Sequence, residues 1–226
     1  MSSVKENINN ILNYLTKLQT KKSKEVRIIA VSKKQPVEKI SEAIESGLVN
    51  FGESYVQEAV KKIIHFSHVK QICWHFLGPI QSNKTKLIAE HFDWVQSVDR
   101  IKILEKLNHH RPNHLAPLNV LIQININDEA SKSGIHKEEL SKLIENVQKY
   151  RNLKLRGIMA IPRRENNPRE QAYTFESLFN LFETHRKNNP DFNILSMGMS
   201  NDWEKAIHFG SNMVRIGTSI FGERDS

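Results

Sequence analysis

Eight short apolar runs, set apart by stretches of helical period, constrain the fold of this chain more than any other feature. They lie at Val26–Val31, Asn50–Gly52, Trp74–Leu77, Trp94–Val98, Val120–Asn125, Leu153–Ile161, Ile194–Met197 and Met213–Ile216. Pro36 opens the first intervening helix and Gly47 follows its last turn, the usual asymmetry of proline at a start and glycine past an end. Val56, Ala59, Val60, Ile63 and Ile64 form one apolar stripe, and Leu140, Leu143, Ile144 and Val147 form another. Phe175, Leu178, Phe179 and Phe182 mark the longest helix. Ser82, Asp99 and Asp202 are read as N-caps. A strand followed by a helix, repeated around the chain, predicts a (β/α)8 TIM-type barrel. The competing arrangement is an open doubly wound sheet, but its GxGxxG phosphate fingerprint does not follow the first strand. The second run is the shortest and the weakest strand.

No linker or low-complexity break divides the 226 residues, so residues 1–226 are read as one domain. A leading helix over 1–20 precedes a barrel over 26–226. In that helix Val4, Ile8, Ile11, Leu12, Leu15 and Leu18 share one face, and Ser3 with Glu6 matches a capping box. The N-terminus lacks the cationic-then-apolar pattern of a secretory signal, and no apolar run reaches membrane-span length. The single cysteine, Cys73, cannot form an intrachain disulfide and reads as a small packing residue in a strand. These features imply a cytoplasmic protein. The net charge of +8 raises the question of nucleic acid, but the lysines are scattered and form no basic block with interleaved aromatics. The same field favours a small anionic ligand.

Barrels of this kind keep their chemistry at the C-terminal ends of the strands. Those ends carry glycine, amide, hydroxyl and cationic groups and no metal-ligand spacing among histidines, so no metal site is expected. The final two ends are the informative ones. "GMSND" brings the hydroxyl of Ser200 beside a helix start, and "RIGTS" supplies Gly217 and the hydroxyl of Thr218. The loops after the last two strands are the usual phosphate site of such barrels. Ordinary capping explains each residue singly but explains their pairing less well. The first strand delivers Lys33 at its tip. A lysine leaving a strand is most often solvated. An ammonium partly desolvated at a strand tip is more readily a free amine, and a free amine facing a phosphate site can form a Schiff base with a phosphorylated aldehyde.

The ordered segments "AVSK", "NFGESYVQE", "WHFLGPIQSNK", "SVDR", "LIQINI", "SKSGI", "LRGIMAIP", "LSMGMSND" and "MVRIGTSIFGER" run through nearly the whole chain. In them the sequence resembles the pyridoxal phosphate homeostasis proteins, single-domain relatives of the N-terminal barrel of alanine racemase. The resemblance implies a (β/α)8 barrel with a leading helix. It implies pyridoxal 5′-phosphate (PLP) as cofactor, joined as an aldimine to the lysine of "AVSK", which is Lys33 rather than Lys34. It also implies phosphate contacts from Ser200, Gly217 and Thr218, Arg215 at the pyridine nitrogen, and Asn50 near the ring hydroxyl. Two departures stand out. Ser54 replaces the asparagine frequent in "GENYVQE". Gln35 occupies a place where relatives often carry a second lysine, with Lys34 one position earlier. Lys132 matches within "SKSG", although solvation is the ordinary fate of such a loop lysine.

Arg215 bears on mechanism. A guanidinium cannot accept the pyridinium proton, so the ring nitrogen stays neutral and carbanion stabilisation is weak. An ion pair with Asp202 or Glu223 is the plainer role for this arginine. Alanine racemases close over substrate with a second, β-rich domain that supplies a tyrosine, and the chain ends soon after its eighth strand. Tyr55 is read as packing. The favoured function is therefore a non-catalytic, monomeric carrier of PLP that supplies apoenzymes, with no nucleic-acid or membrane partner. The alternative is a small racemase-like enzyme.

Overall fold

The computed structural model describes residues 3–17, 25–129, 133–163 and 167–223. Its strands are β1 (Arg27–Val31), β2 (Asn50–Glu53), β3 (Cys73–Phe76), β4 (Trp94–Val98), β5 (Leu118–Ile124), β6 (Leu153–Ala160), β7 (Ile194–Met199) and β8 (Met213–Ile216). They pair in chain order, all parallel, and β8 closes on β1 through Arg27↔Met213 to Ala30↔Ile216. The fold is the expected TIM-type barrel, in one domain.

The helices are α1 (Val4–Lys17), α2 (Val37–Glu45), α3 (Val56–His65), α4 (Thr85–His91), α5 (Ile101–His110), α6 (Leu140–Val147), α7 (Pro168–Arg186), α8 (Trp203–His208) and α9 (Thr218–Phe221). Helix α1 begins with the expected capping box: Glu6 N–H donates to Ser3 Oγ at 3.2 Å and Ser3 N–H to Glu6 Oε2 at 3.0 Å. It packs on α2 and α9, with Asn7 Nδ2 donating to the Ile220 carbonyl at 3.0 Å. Pro36 precedes α2, and Gly47, with φ of +91°, follows it in the left-handed region.

Of the three N-cap expectations, Asp202 holds in position but not in bonding, and the other two miss by one residue. Asp202 stands at the N-cap of α8 but accepts from Met199 N–H at 2.7 Å instead of from the helix. Arg100 rather than Asp99 precedes α5, and Ser82 begins a short 3-10 turn instead of capping it. The stripe on α3 also differs. Ile64 is 60% exposed, whereas Lys62 is buried. Lys62 lies on the same helical face as Val56 and Ala59, and ion pairs described below hold it there.

Apolar residues from the outer faces of the strands pack against the helices, and a smaller cluster of Ile29, Trp94, Leu121, Met159, Ile194 and Met213 forms separately. Gly52 marks how full the ring is: a Cβ there would lie 2.5 Å from Leu77 Cδ1 and 2.9 Å from Ile29 Cγ2.

Candidate functional site

The C-terminal mouth of the barrel holds a cavity of about 450 Å³. Lys33, Ser54, Met159, Ser200, Arg215, Gly217 and Thr218 line it, with Val31, Leu77, Ile161, Pro162, Met199, Asn201 and Asp202. A neighbouring cavity of about 500 Å³ shares Lys33, Ser54, Leu77 and Ile161, and adds Tyr55, Gln57, Gln81 and Lys84.

The turn after β1 separates the two adjacent lysines. Gln35 N–H closes it on the Ser32 carbonyl at 3.0 Å, and Lys34 takes φ of +59°. Lys33 thereby lines both cavities, while Lys34 is exposed. A buried cluster holds the turn. Lys62 Nζ donates to the Ser32 carbonyl at 2.7 Å, to Glu53 Oε1 at 2.8 Å and to Glu58 Oε1 at 2.6 Å. Ser32 Oγ also donates to Glu53 Oε1 at 2.7 Å, and Lys34 N–H donates to Glu58 Oε1 at 2.5 Å. Glu53 is fully buried with Oε2 unbonded, and burial raises its pKa against the pull of Lys62. Sequence reasoning missed this cluster. Its available signal was the i,i+4 pair of Glu58 and Lys62.

Arg215 is 4% exposed. Its Nη1 donates to Ser196 Oγ at 2.6 Å and its Nη2 to the Ala160 carbonyl at 2.9 Å. Among the described residues it makes no ion pair with Asp202 or Glu223, the partners weighed for it from sequence. Burial lowers its pKa to about 10, with Asp202 opposing that shift, so the guanidinium stays charged at neutral pH. Gly217 N–H donates to Ser200 Oγ at 3.1 Å, tying the ends of β7 and β8 together, and Thr218 opens α9 with its side chain exposed. Gly198 allows α8 to approach this corner: its φ is +97°, and a Cβ would meet that of Ala206 at 2.6 Å.

Of the residues singled out from sequence, Lys33, Ser200, Arg215, Gly217 and Thr218 meet at this one cavity. Asn50 does not. It opens β2, paired with Cys73 at the start of β3, and its Oδ1 lies 3.2 Å from His75 Nε2 inside the lower barrel. A place beside a ring in the mouth cavity does not fit that position. Tyr55, expected to pack, is 49% exposed and lines the neighbouring cavity. Cys73 is partly buried, and burial pushes its thiol pKa up to about 12, so it remains a thiol. Lys132 lies outside the described residues. Among the described residues no cluster of three or more His, Cys, Asp or Glu side chains is placed to hold a metal, and no helix is long and apolar enough to cross a membrane.

A sequence profile of the alanine racemase N-terminal domain matches residues 5–225. The pyridoxal phosphate homeostasis protein of Vibrio alginolyticus is 48% identical, over 100% of this chain and 99% of its own. That of Escherichia coli is 51% identical, over 89% of this chain and 87% of its own. This chain belongs to the pyridoxal phosphate homeostasis protein family. Among solved structures, PipY of Synechococcus elongatus has a similar barrel. Its structure without PLP superposes with a TM-score of 0.86 at 30% identity, covering 97% of this chain and 100% of that one. Its structure with PLP bound superposes with a TM-score of 0.83 at 29% identity, with the same coverage. Alanine racemase of Clostridium difficile shares the fold, with a TM-score of 0.76 at 16% identity, and this chain covers 57% of it.

Proposed function

We propose that this protein binds PLP as cargo, held as a Schiff base on Lys33, and supplies it to apoenzymes in the cytoplasm as a monomer. The observation that carries the reading is the convergence on one cavity of an amine, a buried guanidinium and a hydroxyl–amide corner. The three match the parts of PLP. Lys33 faces the aldehyde. Ser200 and Thr218 offer hydroxyl donors to the phosphate, and Gly217 N–H, which donates to Ser200 Oγ, joins them by turning from that oxygen to the phosphate. Arg215 offers only donors to the pyridine nitrogen, so the nitrogen carries no proton and the ring is a poor electron sink. The name carried by the relatives and the PLP in PipY support the same reading.

The test is the absorbance spectrum of purified protein before and after borohydride, with peptide mapping. Lys33→Ala loses the Schiff-base band and Lys34→Ala keeps it. Reduction that tags Lys34 or Lys84 alone overturns the assignment. Transfer is read by activation of a PLP-free apoenzyme mixed with holoprotein, and the monomer by sedimentation.

One observation favours a racemase-like second reading: Tyr55 and Lys33 line the same cavity. Deuterium exchange at the α-carbon of amino acids in heavy water separates the two. Exchange at enzymatic rates, lost in Lys33→Ala and in Tyr55→Phe, establishes the enzyme. Its absence with intact PLP binding leaves the carrier.

A further inference from the structure

Barrel interiors are ordinarily filled by branched apolar side chains. Here β8, β7, β4, β3 and β2 each send a polar side chain inward, and these join end to end. Arg215 Nη1 lies 2.6 Å from Ser196 Oγ, and Ser196 Oγ lies 2.7 Å from Gln96 Oε1. Gln96 Nε2 lies 3.1 Å from His75 Nδ1, and His75 Nε2 lies 3.2 Å from Asn50 Oδ1. Ser196, Gln96 and His75 are fully buried.

The direction of this chain follows from its first member. Arginine has no acceptor, so Arg215 donates to Ser196. The serine hydroxyl must then send its proton to its remaining partner, the oxygen of Gln96. That fixes the amide, whose nitrogen donates to Nδ1 of His75. The imidazole is left neutral with its proton on Nε2, aimed at Asn50 Oδ1. Each donor is polarised by the one before it, so the positive charge of Arg215 is spread toward the barrel floor. The Ala160 carbonyl takes a donor from Nη2, and the guanidinium plane is fixed from two sides.

We propose that Ser196, Gln96, His75 and Asn50 are positioning residues for Arg215, a one-way hydrogen-bond chain that aims its guanidinium at the pyridine nitrogen of PLP. This rests on the cargo reading above. It also gives Asn50 a role at a distance: it is the last acceptor of the chain. A polar core kept only for stability has a weaker rationale, because well-packed apolar replacements of buried polar pairs are commonly neutral or stabilising.

Two experiments test it. In unliganded protein labelled with 15N-histidine, long-range proton–nitrogen correlation should show His75 protonated at Nε2 and bare at Nδ1. The Nδ1-protonated tautomer overturns the chain, and this measurement does not depend on PLP binding. In the second, Ser196→Ala and Gln96→Met are titrated with PLP and with its analogue carrying carbon in place of the ring nitrogen. Binding of PLP should weaken about tenfold, the scale of one lost buried hydrogen bond, while the analogue changes less than about twofold. Ser196→Thr, which keeps the hydroxyl, should restore PLP binding. Combined with Arg215→Met, Gln96→Met should add no further loss. Equal losses for both ligands, or additive losses with Arg215→Met, overturn the proposal. If the unaltered protein shows no Schiff base with PLP, the cargo reading fails, and the histidine tautomer still decides the chain.

Discussion

The two ends of this barrel use arginine for opposite purposes. At the floor, the Trp94 ring stacks on His75, with centroids 5.3 Å apart, and the guanidinium carbons of Arg27 and Arg156 lie 5.3 and 5.7 Å from its centroid. Cation and aromatic satisfy each other there. At the mouth, Lys33, Arg215, Ser200 and Thr218 point at a cavity instead. The strands that begin in a packed plug therefore end in groups held ready for a ligand. On the proposed function, direct contact with the ligand falls to the C-terminal ends of the strands, while the N-terminal ends are packed mainly for stability.

The division can be broken from either side. Ser200→Ala with Thr218→Val should cost PLP binding about 1.5–3 kcal/mol for each charged-group hydrogen bond lost, with little change in unphosphorylated pyridoxal binding or in melting temperature. Equal losses for both ligands would place the phosphate elsewhere. Trp94→Ala should do the reverse, destabilising the fold by about 3–5 kcal/mol in denaturant unfolding while the folded fraction still takes up PLP. Loss of binding at full fold stability would contradict the division.

His75 sharpens the comparison through pH. Burial holds its folded-state pKa well below 6.5. Below pH 6.5 the unfolded chain gains a proton that the folded one refuses, so stability falls as acid is added. His75→Phe should flatten that fall between about pH 6.5 and 5 by up to about 1.4 kcal/mol per pH unit. An unchanged slope in urea titrations across that range would mean that His75 titrates alike in both states. The smallest effect is expected from Arg27→Met, which removes one cation from the Trp94 face. It should cost about 0.5–1 kcal/mol of stability and leave PLP binding alone.

The barrel was legible because its signal is repeated. Each apolar run is short, but the alternation with helical period recurs around the whole chain, and even the brief β2 takes its place by pairing with β1 and β3. The mouth residues were legible because a strand's exit can be read from where its apolar run stops. Position inside the ring was not. Asn50 sits in a matched motif, but whether it belongs to the floor or the mouth depends on where β2 begins, and its pairing with Cys73 decides that. Lys62 was hidden because hydropathy assigns a lysine to solvent, and its burial depends on Glu53 arriving from another element. Two of the three N-caps missed by one residue, the scale on which loop geometry overrides side-chain preference, while Asp202 took its expected position.

The closing seam between β1 and β8 brings Lys33 and Arg215, which lie 182 positions apart in sequence, to one cavity. A chain still being made has the lysine long before it has the arginine. A ligand that needs both recognises only the completed ring, so binding and completion of the ring are thermodynamically linked. Each tenfold rise in free ligand above its dissociation constant adds about 1.4 kcal/mol to the closed state.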